Sequence, residues 1–211
     1  MALLLLVRHG LTAATGKRLY GRSPGVHLSE AGRGQAQRVA ERLAGLRLAG
    51  LYSSPLERCV ETADPIARAC RIDVRSLPEV VEVDYGTWTG RPFSGLRRTK
   101  LWREVHARPS SVRFPGGESL LEVQRRTVDA LVDVARRHGK GAAAVVSHGD
   151  VIRVALAHFV GLHIDLFHRM EVGPGSVSAV LLGDGIPRVL RLGDTGALDD
   201  LVPGAAPRVR G

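Results

Sequence analysis

Arg8, His9, Arg58 and His148 each stand just after an apolar run, or in the helix turn expected to follow one. Guanidinium and imidazole groups gathered around a helix N-terminus make a pocket for a dianion such as a phosphoryl group, because their donors match phosphate oxygens. An imidazole in such a pocket can attack phosphorus, forming a phosphohistidine that splits one displacement into two. The surrounding positive charge then stabilises the equatorial oxygens of the transition state. A leaving alkoxide also needs a proton, usually from a carboxylic acid of raised pKa. Glu82 is the best-placed candidate, with Glu79 and Asp84 as rivals in the same stretch.

Two runs must position these groups: Leu3-Leu4-Leu5-Leu6-Val7 before Arg8-His9-Gly10, and Ala142-Ala143-Ala144-Val145-Val146-Ser147 before His148-Gly149. Short apolar runs stopped by glycine suit buried central strands of a parallel sheet, and ligands collect at the carboxyl ends of such strands. Gly50 to Ser53 reads as another strand, and Ile72-Asp73-Val74 as a third. Ser29 reads as the N-cap of a helix with Ala36, Val39, Ala40, Leu43 and Leu46 on one face. Ser54-Pro55 supplies a cap and an N1 proline for the next helix, which Pro65 should kink or restart. Glu118 to His138 reads as a helix with Leu121, Val128, Leu131, Val132 and Ala135 inward and Gly139 as its C-cap. Val151 to Val160 is helical, and Gly183-Asp184-Gly185 joins a terminal hairpin. The alternation predicts an α/β fold of three layers, α/β/α, around a mainly parallel sheet. One domain over residues 1–200 is expected, with a small helical insertion or lid over about 87–117 and a flexible tail over 201–211.

Composition narrows the partners. The net charge of +9 rests on arginine, since lysine occurs only at positions 17, 100 and 140. Scarce aromatic residues, none interleaved with a basic run, argue against nucleic acid. No secretion signal or membrane span is visible, and Cys59 and Cys70 lack metal or redox spacing, so a cytoplasmic protein is expected. His158, His163 and His168 fall five residues apart, about 140° on a helix, and share no face for a metal. Asp150 has a sufficient role as a helix N-terminal carboxylate.

The chain resembles the histidine phosphatase superfamily, also called phosphoglycerate mutase-like, over roughly residues 3–195. The resemblance rests on an ordered set: Leu6-Val7-Arg8-His9-Gly10-Leu11-Thr12; Leu28-Ser29-Glu30-Ala31-Gly32 with Gln35-Ala36; and Ser53-Ser54-Pro55-Leu56-Glu57-Arg58 with Glu61-Thr62-Ala63. Glu82-Val83-Asp84-Tyr85-Gly86, Pro115-Gly116-Gly117-Glu118-Ser119 and Val146-Ser147-His148-Gly149-Asp150-Val151-Ile152-Arg153 complete it. It implies His9 as nucleophile, Arg8, Arg58 and His148 as the phosphate pocket, Glu82 as proton donor and later base, and neither metal nor organic cofactor. Thr15 stands where many relatives carry asparagine. With Gly21, Arg22 and Gly149 it completes the expected phosphate- and substrate-binding positions, Arg22 being the one expected to meet a second anionic group. Long, two-ended substrates would draw on Arg22, Arg91 or Arg113 at the mouth.

The short insertion favours hydrolysis of small phosphorylated metabolites over a phosphomutase. The same residues would also suit a non-catalytic sensor of a phosphorylated ligand, or a metal-dependent hydrolase using His9, His148 and Glu82. A homodimer is one expectation for its assembly.

Overall fold

The run Leu3 to Val7 is apolar at every position because both faces of its strand are covered. In the computed structural model, which describes residues 1–13 and 15–196, it forms β1 (Ala2–Arg8). β2 (Leu48–Ser53), β3 (Val74–Ser76), β4 (Ala142–Ser147), β5 (Val177–Leu182) and β6 (Arg188–Asp194) complete one sheet in the order β3-β2-β4-β1-β5-β6. β1 to β4 run parallel, whereas β5 is antiparallel to both β1 and β6. The mainly parallel sheet and the terminal hairpin are therefore as expected.

Alternate residues of each strand serve opposite layers. Leu3, Leu5, Val7, Ala144 and Val146 pack against α1 (Glu30–Leu43) and α2 (Glu57–Cys70). Leu4, Leu6 and Val145 face α5 (Leu120–His138) and α6 (Gly149–Phe159). The segment expected as a lid carries two short helices, α3 (Phe93–Leu96) and α4 (Lys100–Ala107), between 3-10 turns. The expected tail lies outside the described residues. Among those described, no helix is long and apolar enough to cross a membrane.

Several local expectations change. α2 starts at Glu57, not after Ser54, because the Ser54 N–H extends the sheet by donating to the Val146 carbonyl at 2.9 Å. It runs unbroken through Pro65, whose ring is buried. Its end is a left-handed Arg71, φ 52°, and the Ile72 N–H turns back to the Ala67 carbonyl, so β3 begins only at Val74. Leu46 is buried beyond the end of α1 rather than on it. α5 starts at Leu120 behind a Ser119–Glu122 capping box, and Leu120 is buried while Leu121 is 47% exposed. α6 begins at Gly149, two residues early, with His148 at its N-cap position.

Candidate active site

Pairing between β1 and β4 places Leu3 opposite Ala142 and Arg8 opposite Ser147. The two His-Gly pairs consequently leave the sheet side by side, with the His9 N–H donating to the Ser147 carbonyl at 3.0 Å. The His9 and His148 ring centroids are 5.3 Å apart and edge to face. The turn after His9 is fastened by residues of the sequence pattern. Gly10 donates to Thr62 Oγ1 at 3.2 Å and Leu11 to Gln35 Oε1 at 2.8 Å. A Cβ on Gly32 would sit 1.9 Å from the Leu11 carbonyl oxygen, so only glycine lets α1 approach this closely.

His9 Nδ1 lies 2.8 Å from the Gly10 carbonyl, which can only accept, so Nδ1 carries the proton and Nε2 keeps its lone pair. Burial, reinforced by Arg58 and Arg8, lowers the His9 pKa to about 3, with the Gly10 hydrogen bond opposing. The ring is thus a neutral nucleophile at ordinary pH. Burial and Arg58 likewise hold His148 well below the usual imidazole range.

Arg58 Nη2 donates to the Gly21 carbonyl at 2.8 Å and lies 3.2 Å from His148 Nδ1. Arg8 Nη1 donates to the Val172 carbonyl at 2.6 Å, and its guanidinium lies under the backbone of Gly149, the first residue of α6. Arg8 Nε and Arg58 Nη1 are buried with no partner among the described residues. Two such donors call for an acceptor, and an anion at the start of α6 supplies one. Thr15 also borders the cavity, its Oγ1 accepting from the Thr12 N–H at 3.0 Å.

Of the three rival carboxyls, Glu82 reaches the histidines. Its Oε2 is 3.7 Å from His148 Nδ1. Burial first, then Asp150, raise its pKa to about 7 against the pull of Arg58 and Arg8. With both groups neutral, the contact is one of a carboxylic acid and an imidazole rather than an ion pair. Asp84 instead accepts from the Gly86 N–H. The Glu79 carbonyl accepts from Arg126.

Three groups in and around this site, Glu118, Arg126 and Ser54, were given no role at the site by the sequence reading. Glu118 accepts from Arg22, Arg126 and the Asp84 N–H, and the Arg22 and Arg126 guanidiniums both reach the Glu82 carbonyl. Arg22 is therefore held against Glu82 and Glu118, beside the residues that line the cavity. Arg91 does not line it either, and Arg113 pairs with Glu122. Ser54 places its Oγ 2.7 Å from His148 Nε2. Arg58 Nη2 can only donate to Nδ1, so the imidazole proton sits on Nε2, where Ser54 Oγ accepts it, and Nδ1 keeps its lone pair toward Arg58 and Glu82. Ser54→Ala should lower kcat about 10-fold, with Ser54→Thr restoring it, and nitrogen NMR should show the His148 proton redistributed between its ring nitrogens.

Asp150 accepts from the Tyr85 hydroxyl at 2.8 Å and from Arg153 at 3.1 Å. Cys59 is buried beside His148, and burial pushes its thiol up to about 12, so it stays protonated. Both cysteines are free. Among the described residues, no group of three or more His, Cys, Asp or Glu side chains is arranged to hold a metal ion.

The family model "Histidine phosphatase superfamily (branch 1)" matches residues 4–195. The chain belongs to this superfamily. Phosphoserine phosphatase 1 of Hydrogenobacter thermophilus is 32% identical over 200 residues, spanning 92% of this chain and 93% of that protein. A probable phosphoglycerate mutase, GpmB of Proteus mirabilis, is 33% identical over 184 residues, 85% of each chain. Among solved structures, YhfR of Bacillus stearothermophilus superposes with a TM-score of 0.86 at 26% identity, covering 92% of this chain and 98% of its own. A mutant phosphoserine phosphatase from Entamoeba histolytica in complex with phosphoserine gives 0.83 at 25%, with the same coverage. The three-layer histidine phosphatase fold expected from the residue pattern is thus the fold of this chain.

Proposed function

We propose that the protein is a phosphomonoesterase acting through a phosphohistidine on His9. The observation that carries this reading is the His9 ring: buried and neutral, its Nδ1 proton given to Gly10 and its Nε2 free beside two buried guanidiniums. Nε2 attacks phosphorus and the ester P–O bond breaks. The Glu82 carboxyl passes its proton to the leaving alkoxide. Arg8 and Arg58 hold the equatorial oxygens, His148 fixes the Arg58 guanidinium by accepting from it at Nδ1, and Thr15, Gly21 and Gly149 shape the phosphate end of the cavity. The Glu82 carboxylate then takes a proton from water, whose oxygen attacks phosphorus, releasing inorganic phosphate and neutral His9.

The scheme uses no metal or organic cofactor and takes a small phosphorylated metabolite as substrate. The free cysteines fit a reducing compartment such as the cytoplasm. The similarity to a phosphoserine phosphatase across nine-tenths of both chains favours hydrolysis, while the GpmB match keeps a phosphomutase as the second reading. Phosphate release from a panel of phosphomonoesters in chelator tests the proposal. Release is the expected result. Isomerisation primed by a bisphosphate, without release, would establish the mutase, and ligand binding with neither would leave a sensor.

A further inference from the structure

Building on the phosphatase reading, we infer that the enzyme selects esters whose leaving alcohol carries a carboxylate, and that Arg153 and His168 receive it. Two buried nitrogens carry the inference. Arg153 Nε and His168 Nε2 belong to side chains that line the same cavity as His9, about 330 Å³ in volume, and neither has a hydrogen-bond partner among the described residues. A buried polar nitrogen costs free energy until something pairs with it. At Arg8 and Arg58 that condition marks the phosphoryl end of the cavity, and here it marks a second end.

Arg153 follows Gly149 by four residues on α6, one helical turn or about 6 Å along the axis, so it shares the helix face under which Arg8 lies. Its guanidinium is anchored at one corner. Nη1 donates to Asp150 Oδ1 at 3.1 Å, and Asp150 is itself held by the Tyr85 hydroxyl at 2.8 Å. Nη2 lies 3.6 Å from Glu171, a side chain that is 84% exposed. Nε–H and Nη2–H leave the planar guanidinium on one side and make the fork that a carboxylate accepts with two oxygens. His168 is close enough to feel the charges of both Arg153 and Asp150. Its ring is fixed by stacking on His106, 4.7 Å away and within 4° of parallel, and by Phe167 at 4.0 Å. Burial lowers its pKa first, Asp150 and the Val105 carbonyl oppose, and His106 and Arg153 add to the lowering. A carboxylate beside Nε2 raises it again, so the N–H that the ligand needs is formed on binding. One added negative charge is thus matched by one imidazolium. A second phosphoryl dianion would leave a charge in excess beside Asp150, and a hydroxyl, with a single uncharged oxygen, would use the fork poorly.

Terminally phosphorylated hydroxy acids of three to five carbons, lengths chosen to bracket one helical turn, test this beside the alkyl and the terminally hydroxylated alkyl phosphates of equal length. All leave as primary alkoxides, which limits differences of intrinsic reactivity. At the best length, kcat/KM for the acid should exceed that for the alkyl ester by about 10- to 100-fold, the range expected of hydrogen bonds to a charged group. The hydroxylated ester should fall below the acid. Arg153→Lys keeps a charge toward Asp150 and loses the fork, whereas His168→Phe keeps a ring against His106 and loses Nε2. Each should cut the acid-to-alkyl ratio about 5- to 10-fold. A ratio taken within one protein cancels losses of folded enzyme or of chemistry common to both esters. A wild-type ratio near one, a hydroxylated ester that matches the acid, or a ratio that survives either substitution overturns the inference and leaves the phosphatase standing. Failure of every ester to release phosphate overturns both.

Discussion

His9→Ala will cost roughly four to six orders of magnitude in kcat, because the group that forms the covalent intermediate is gone and nothing nearby can replace it. His148, whose ring lies 5.3 Å from that of His9, is not a substitute: its Nδ1 sits against Arg58 and its Nε2 against Ser54. Arg8, Arg58 and the start of α6 remain, so the variant should still bind inorganic phosphate, seen as a rise in melting temperature with phosphate concentration. Rapid quenching of the wild type during turnover should trap a phosphoenzyme stable to base and labile to acid, as an N–P bond is. The variant should trap none. A variant that kept its turnover would remove His9 from the chemistry and the mechanism with it.

Glu82→Gln carries the second large effect, a loss of about 10²- to 10⁴-fold for alkyl esters. The loss should shrink for p-nitrophenyl phosphate, whose leaving group departs without a proton. The pH profile gives the sign. Attack on the ester needs His9 neutral, which holds above its pKa of about 3, and Glu82 protonated, which holds below its pKa of about 7. Wild-type kcat/KM for an alkyl ester should therefore fall as pH rises through about 7. The glutamine variant cannot ionise, so that limb should disappear. An unaltered alkaline limb in Glu82→Gln would assign the proton transfer to another group.

Much of the site could be read from the chain because its two halves are built alike. An apolar run ending in His-Gly marks the carboxyl end of a buried strand, and β1 and β4 pair in register so that both ends meet. What stayed hidden depended on partners distant in sequence. Ser-Pro is a good helix-start signal, yet the Ser54 backbone is claimed by β4 and its side chain by His148, leaving α2 to begin at Glu57. Arg22 reads as a cation near an entrance, and only the position of Glu118 turns it toward the Glu82 loop. Trp88, Phe93, Trp102 and Phe114 all line the cavity but come from short elements separated by Pro92, Gly95, Pro109 and Pro115, so their common facing could not be inferred from spacing.

The burial that makes Glu82 a proton donor also makes it a weak point in the folded state. In the unfolded chain its carboxyl ionises near 4.5, whereas in the folded protein it holds its proton up to about 7. The folded state binds the extra proton throughout that interval, so its advantage over the unfolded chain is full below about pH 4.5 and declines until the pH has passed 7. Above that, native Glu82 is a desolvated charge whose cost, on the order of 3 kcal/mol, the rest of the structure carries. Glu82→Gln should thus melt higher than the wild type at pH 8 and lose that margin toward pH 4. The position trades heat resistance for turnover, and the slower protein with glutamine there is the hardier one in alkaline solution.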